Sequence, residues 1–189
     1  MAIQEQTITA ELFLELVDLP EYQDRVLELV EGEIVEMPKP TRMHGVVAAR
    51  LTRTIANYVV EKDLGEVTSG DPGFVLERNA YGRDTVRGLD IAFVSQSKVL
   101  GPPDFAWYET GPDLAVEVIS PSNKAGDIHL KVMQLLNAGT RLIWLVYPET
   151  RTVEAHTSEG ATTLHESETL SGGDVLPGFV IRVGDIFPG

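Results

Sequence analysis

A mixed sheet with helices on its faces, an α/β arrangement in one domain over residues 1–189, is the architecture this sequence predicts. Three observations lead there. Val47, Leu51, Ile55 and Val59 recur every four residues and form the apolar stripe of a helix from about His44 to Lys62. Leu89 to Ser95, Leu114 to Ile119 and Arg141 to Tyr147 are short, strongly apolar runs of the kind that make buried strands. Helical and extended segments alternate, without a repeat, a low-complexity tract or a linker.

The elements follow in order. An acidic helix over about Thr9 to Asp18 precedes Val26 to Val35, two short strands turning at Glu31-Gly32. After the long helix come strands at about Glu66 to Ser69 and Gly73 to Glu77, with Gly70-Asp71-Pro72-Gly73 as a turn between them. A Pro- and Gly-bearing loop runs from Gly101-Pro102-Pro103 to Gly111-Pro112 and carries Trp107 and Tyr108. Ser120-Pro121-Ser122-Asn123 breaks the next strand and is placed to cap a helix reaching about Asn137, which Gly139 ends. Thr152 to Thr157 alternates as a one-sided strand does, and the tail is turn-rich with a few short strands.

Composition narrows the function classes. No apolar run approaches the roughly 20 residues that span a bilayer, and Met1-Ala2-Ile3-Gln4-Glu5-Gln6-Thr7 lacks the basic and apolar regions of a secretion signal, so a cytoplasmic setting without membrane contact is expected. The absence of cysteine removes disulfides, thiolate ligands and a thiol nucleophile. A net charge of −14 works against broad attraction to phosphate backbones. The charge is unevenly spread, however. No acid occurs between Glu36 and Glu61, where Lys39, Arg42, Arg50 and Arg53 stand. This stretch is either a nucleic-acid-binding face or an ordinary solvated helix surface.

Two lone carboxylates stand out: Asp90, opening an apolar run, and Glu117, inside another. A charge in a buried strand is costly unless something pairs with it. Two carboxylates side by side in a sheet offer hard oxygen ligands suited to Mg²⁺ or Mn²⁺, and such an ion polarises a phosphate and acidifies bound water. Lys131, on the helix that follows, could steady charge on phosphorus. Glu28, an acid among Leu27, Leu29 and Val30, is a fourth candidate. The alternatives are strand-end acids paired with arginine or backbone amides, and an i,i+4 surface pair between Asp127 and Lys131. His129, His156 and His165 have no partner at metal-ligand spacing, Ser120 and Ser122 lack the setting of a hydrolase nucleophile, and the Gly-rich pieces lack the end of a phosphate loop.

Leu27 to Met37, His44, Leu89 to Val94, the run from Pro112 to Ser122 centred on Glu-Val-Ile-Ser-Pro-Ser, Asp127, Lys131, Ala138-Gly139 and Trp144 to Pro148 together resemble the Uma-two family. This is a bacterial group within the PD-(D/E)XK, restriction-endonuclease-like superfamily. The likeness covers about residues 26–148, leaving an acidic N-terminal helix and a short β-rich C-terminal tail outside that core. It implies a restriction-endonuclease-like fold and a metal-dependent endonuclease acting on DNA, as a homodimer whose two sites address two strands. Asp90 and Glu117 would then be the metal-binding acids, Val118 would lend its backbone carbonyl to the metal, Lys131 would be the catalytic lysine moved from strand to helix, and Glu28 the additional N-terminal acid. His44, with Arg42, Arg50 and Arg53, would meet the nucleic acid. The chain departs from the pattern in having Leu89 where the superfamily has proline, Ile119 where it has lysine, and Leu135 where many relatives carry tyrosine. The other reading is a non-catalytic nucleic-acid- or protein-binding module on the same fold, and the direction of the Lys131 side chain separates the two.

Overall fold

The computed structural model describes residues 7–99 and 106–189. Met1 to Gln6 and the Gly101-Pro102-Pro103 part of the expected loop lie outside the described residues. The described elements are helices α1 (Ala10–Val17), α2 (Arg42–Lys62), α3 (Ala125–Asn137) and α4 (Val183–Ile186), with strands β1 (Val26–Val30), β2 (Glu33–Met37), β3 (Gly65–Ser69), β4 (Gly73–Glu77), β5 (Thr85–Gly88), β6 (Ile91–Ser95), β7 (Leu114–Val118), β8 (Leu142–Tyr147), β9 (Thr152–Thr157), β10 (Gly160–Leu164), β11 (Thr169–Ser171) and β12 (Val180–Arg182). This is the mixed α/β arrangement expected. Among the described residues no helix is long and apolar enough to cross a membrane.

The main sheet has six strands in the order β10-β9-β8-β7-β6-β3. Among the described strands of this sheet β7 and β8 alone run parallel, and α3 supplies the long crossover that a parallel pair needs. The period of two along its central strands sorts their side chains into two cores. Ile91, Phe93, Leu114, Val116 and Trp144 face α2, meeting Val47, Leu51, Ile55 and Val59 together with Leu176, Phe179 and Val183 from the tail. Ala92, Val94, Ala115, Ile143 and Leu145 face the opposite way, against Val132 and Leu135 of α3. Glu117 alternates with Ala115, so it faces the α3 side.

A second, four-stranded antiparallel sheet has the order β2-β1-β5-β4. Its core joins Leu29, Val75 and Val86 to Ala10 and Phe13 of α1. The β1–β2 hairpin turns at Glu31 and Gly32, both at positive φ (52° and 85°). A Cβ at Gly32 would approach the Arg83 backbone to 3.1 Å, so the turn favours glycine there for space as well as conformation.

Two local expectations are corrected. The apolar run from Leu89 is not one strand: β5 ends at Gly88 in the small sheet, β6 begins at Ile91 in the large one, and Leu89 and Asp90 carry the chain between them. Thr85 to Gly88, which lies outside the expected strands, is one. At α3, Asn123 does not cap the helix. Its Oδ1 folds back to accept from the Ser120 amide (2.7 Å) and hydroxyl (3.0 Å), and the N-cap is Lys124, without a side-chain capping bond. By contrast Thr41 caps α2 through its hydroxyl, which accepts from the His44 amide, so that helix starts at Arg42.

Candidate active site

The register of β6 against β7 brings the two strand acids together. Ile91 lies opposite Val116, and one step further along the same register stand Asp90 and Glu117. Directly opposed residues of an antiparallel pair point to the same face with their Cβ atoms about 5 Å apart. Asp90 is held in place at both oxygens: Oδ2 accepts from the Val118 amide at 2.7 Å, and Oδ1 lies 2.9 Å from His44 Nε2. His44 stands one turn before Val47, at the N-terminal end of the buried stripe of α2. The bond to Asp90 raises the imidazole above its ordinary pKa, against the effect of burial.

Lys131 comes from the opposite face. It sits on the turn of α3 preceding Val132 and Leu135, which anchor that helix on the sheet. Its ammonium donates to Glu117 Oε2 (2.9 Å), Glu28 Oε1 (3.0 Å) and the Gly88 carbonyl (2.8 Å). The side chain therefore points into the cleft, and the surface pair with Asp127 is not formed. Burial opposes its charge, but Glu117 and Glu28 outweigh burial and keep the ammonium protonated.

Glu28 is reached through the small sheet. Leu29 pairs with Val86, which sets Glu28 beside Arg87, whose Nη1 donates to Glu28 Oε2 at 2.7 Å. The same guanidinium donates from Nε and Nη2 to Gln134 Oε1 (2.9 and 2.6 Å). Burial works to raise the Glu28 pKa, yet Lys131 and Arg87 together hold it below the usual carboxylate range. Glu117 has no such surplus of cations. Burial pushes its carboxyl up to about 8, Lys131 works against this, and Asp90 and Glu28 add to it. Its Oε1 is buried without a hydrogen-bond partner.

These groups lie in one cleft of about 1090 Å³, lined by Asp90, Glu117, Val118, Lys131, Glu28 and His44 and extending between the β1–β2 hairpin and α3. Arg42, Arg50 and Arg53 do not line it; the exposed cations among its lining are Lys39, Lys124 and Arg25, the last paired with Glu36. Arg50 is used internally, donating to the Phe187 carbonyl at 2.6 Å, and with Arg53 it borders a shallow depression beside Asp185. That face of α2 meets the C-terminal tail, which the helix's own sequence does not reveal. Arg87, Gln134 and Asp71 also line or support the cleft and were missed by sequence reasoning. An arginine between buried Val86 and Gly88 was a usable signal for the first; Asp71 looked like no more than a turn residue.

Among the described residues no three His, Asp or Glu side chains converge into a ready-made metal cage. The donor set nevertheless fits a hard divalent ion, which prefers oxygen ligands. Such an ion keeps several waters and needs only one or two carboxylates from the protein. Asp90 and Glu117 supply two, one of them with an unpartnered oxygen.

The sequence matches the Uma2 family, described as "Putative restriction endonuclease", over residues 11–184. The chain belongs to this family. Membership supports a nuclease-like function. In fold the chain is similar to the crystal structure of a "putative nuclease belonging to DUF820" from Anabaena variabilis ATCC 29413, with a TM-score of 0.81 and 18% identity over 95% of this chain and 97% of that one. At that identity the likeness speaks for the fold alone. No curated protein matches the chain.

Proposed function

We propose that this Uma2 protein is a Mg²⁺- or Mn²⁺-dependent endonuclease that hydrolyses phosphodiester bonds of DNA, with Asp90, Glu117 and the Val118 carbonyl as the cation's protein ligands. The observation that carries this reading is the placement of Lys131: a buried ammonium within 3.0 Å of both Glu117 and Glu28, beside an acid pair that shares one face. The non-catalytic alternative draws on the net charge of −14 and on Ile119 in place of the strand lysine, but it would have Lys131 at the surface with Asp127, and that pair is not formed.

The bound ion would supply Lewis acidity toward a phosphate oxygen and a more acidic water. The chain's own groups do the rest. Lys131 is a protonated donor fixed in the cleft, suited to stabilise the negative charge that grows on the phosphoryl oxygens. Glu28, held ionised by Arg87, anchors the Lys131 ammonium from the side away from Glu117. His44 orients Asp90 and carries an N–H that can meet a phosphate. Arg42, Arg50 and Arg53 contribute less to binding in this reading, since the exposed cations that line the cleft are Lys39, Lys124 and Arg25. A cut in both strands requires two clefts, which a homodimer supplies, and the cytoplasm is the setting in which we place it.

Calorimetric titration of Mn²⁺ into the wild type and into Glu117→Gln tests the cation site before any substrate is chosen. Binding to the wild type that disappears in the variant supports the reading. Equal binding in both, or none in either, overturns it.

A further inference from the structure

The cleft does not end at the acids. The pairs Leu29–Val86 and Gly73–Gly88 put the start of β1, the end of β5 and the start of β4 at one end of the small sheet, and Gly88 leads straight to Leu89 and Asp90. Glu28 and Lys131 meet on the α3 side of that end. The lining continues onto the α1 side, through Phe13, Val17, Leu27 and Trp107, with Tyr22 from the turn between α1 and β1. These walls are apolar or aromatic, and they have no part in the site as described so far.

Trp107 is seated by a glycine. A Cβ at Gly73 would come within 2.5 Å of the indole Cδ1 and 2.7 Å of its Nε1, so only glycine there lets the ring lie against the start of β4. Phe13 backs the ring, with centroids 5.2 Å apart. The next residue is fixed to the same strand: the Tyr108 amide donates to the Gly73 carbonyl at 3.0 Å, and its carbonyl accepts from the Val75 amide at 2.8 Å. Trp107 itself stays partly exposed. It is a held aromatic ring on the wall of a cleft that also contains the acid pair and the lysine.

The charges around it narrow the choice of ligand. A duplex is held chiefly by neutralising its phosphates. The exposed cations of the cleft are Lys39, Lys124 and Arg25, the last already paired with Glu36, in a chain of net charge −14. A strand with unpaired bases offers base faces as well as phosphate, and stacking them on aromatic rings adds affinity that needs no cation. In a duplex those faces are covered by the neighbouring pairs.

We propose that Trp107 is a platform on which a nucleobase beside the cleaved phosphate stacks, so that the cleft takes DNA as a single or locally opened strand. The choice of ligand rests on the endonuclease reading above. Trp107 binds the base and takes no part in breaking the phosphodiester bond.

The chain has two tryptophans, and Trp144 is wholly buried, so a change in tryptophan emission on adding DNA reports on Trp107. Oligothymidylate, an abasic strand of the same length and a duplex of that length are titrated into the wild type, Trp107→Phe and Trp107→Ala, without divalent ion so that the strands stay whole. Emission and the anisotropy of a labelled strand are both read. The wild type should be quenched by oligothymidylate and not by the abasic strand, and should bind the former at least about fivefold more tightly than the abasic strand or the duplex. Trp107→Phe should keep most of that preference, and Trp107→Ala should lose it. A ring that only props the turn would give a Trp107→Ala variant that melts earlier and binds all three ligands more weakly with the preference intact, which overturns the platform. Equal binding of the abasic strand, or tighter binding of the duplex, also overturns it, while Mn²⁺-dependent cutting in the same preparation leaves the endonuclease reading standing. A base-dependent quench in a protein that takes up no Mn²⁺ supports the platform and overturns the endonuclease reading.

Discussion

The stretch from Asp113 through β7 carries two acids that the protein treats in opposite ways. Asp113, immediately before β7, is fully answered: it accepts from the Ser95 amide at 2.8 Å and lies 3.3 Å from both Lys98 and Arg141. Burial would raise its pKa, but these partners hold it below the ordinary value. Glu117, four residues on, shares its single lysine with Glu28 and keeps one oxygen unpaired. Asp113 ties the ends of β6 and β8 to β7, as a structural acid should. Glu117 is left short of positive charge in a cleft, which is what an acid that must receive a cation requires. What separates the two is the balance of partners; burial is common to both.

Breaking the second acid should have the largest effect. Glu117→Gln is predicted to reduce metal-dependent DNA cleavage by at least about 1,000-fold while the metal-free fold survives; plasmid nicking with a melt of each sample checks this, and wild-type cutting would refute it. The melts add a pH signature. In the folded chain Glu117 stays neutral up to about 8, whereas the unfolded chain ionises it from about its ordinary 4.5. The unfolded state then holds fewer protons, so this residue's contribution to stability is complete below about pH 4.5 and is lost as pH rises through about 8. The advantage of Glu117→Gln over the wild type should widen from pH 5 to pH 8; a constant gap would show that Glu117 is already ionised.

Removing the shared cation comes next. Lys131→Met should lower cleavage on the order of 100-fold and cost about 3 kcal/mol of stability, since Glu28 and Glu117 lose a buried partner. Denaturant unfolding with single-turnover kinetics measures both, and unchanged kinetics would return Lys131 to a structural role. Asp113→Asn sharpens the contrast from the other side. It should cost about 2 kcal/mol, because the Ser95 amide and two cations lose an ionised acceptor, yet leave Mn²⁺ affinity as it was. A loss of affinity there would mean that the two acids are coupled along β7. The smallest effect is expected at Arg50→Ala: about 1 kcal/mol from the lost bond to Phe187, with DNA affinity altered by less than about twofold. A larger fall in filter-bound DNA would restore the α2 face as a binding surface.

Much of this was legible in the sequence because it depends on local pattern. The four-residue stripe of α2 marks the helix and the face it buries, and the short apolar runs of β6, β7 and β8 mark the buried strands. Asp90, Glu117 and Glu28 stand out because each interrupts an apolar run, Lys131 as a cation on the helix that follows Glu117, and His44 through the family resemblance. What was not legible depends on how distant segments meet. The direction of Lys131 follows from α3 packing across β7 and β8. The diversion of Arg50 follows from a tail more than 130 residues away. Arg87 and Gln134 form a support only once the fold brings the end of β5 to α3.

Two of the cleft's acids are already answered from within the protein: Glu28 by Lys131 and Arg87, and Asp90 by His44. A fold whose negative charges wait for an ion before they can be buried collapses when that ion is stripped away, as small zinc domains do. Here the internal cations serve as placeholders, so assembly of the chain and arming of its chemistry become separate events. In the metal-dependent reading proposed above, the chain would be complete before any divalent ion arrives, and only the ion would set it to work.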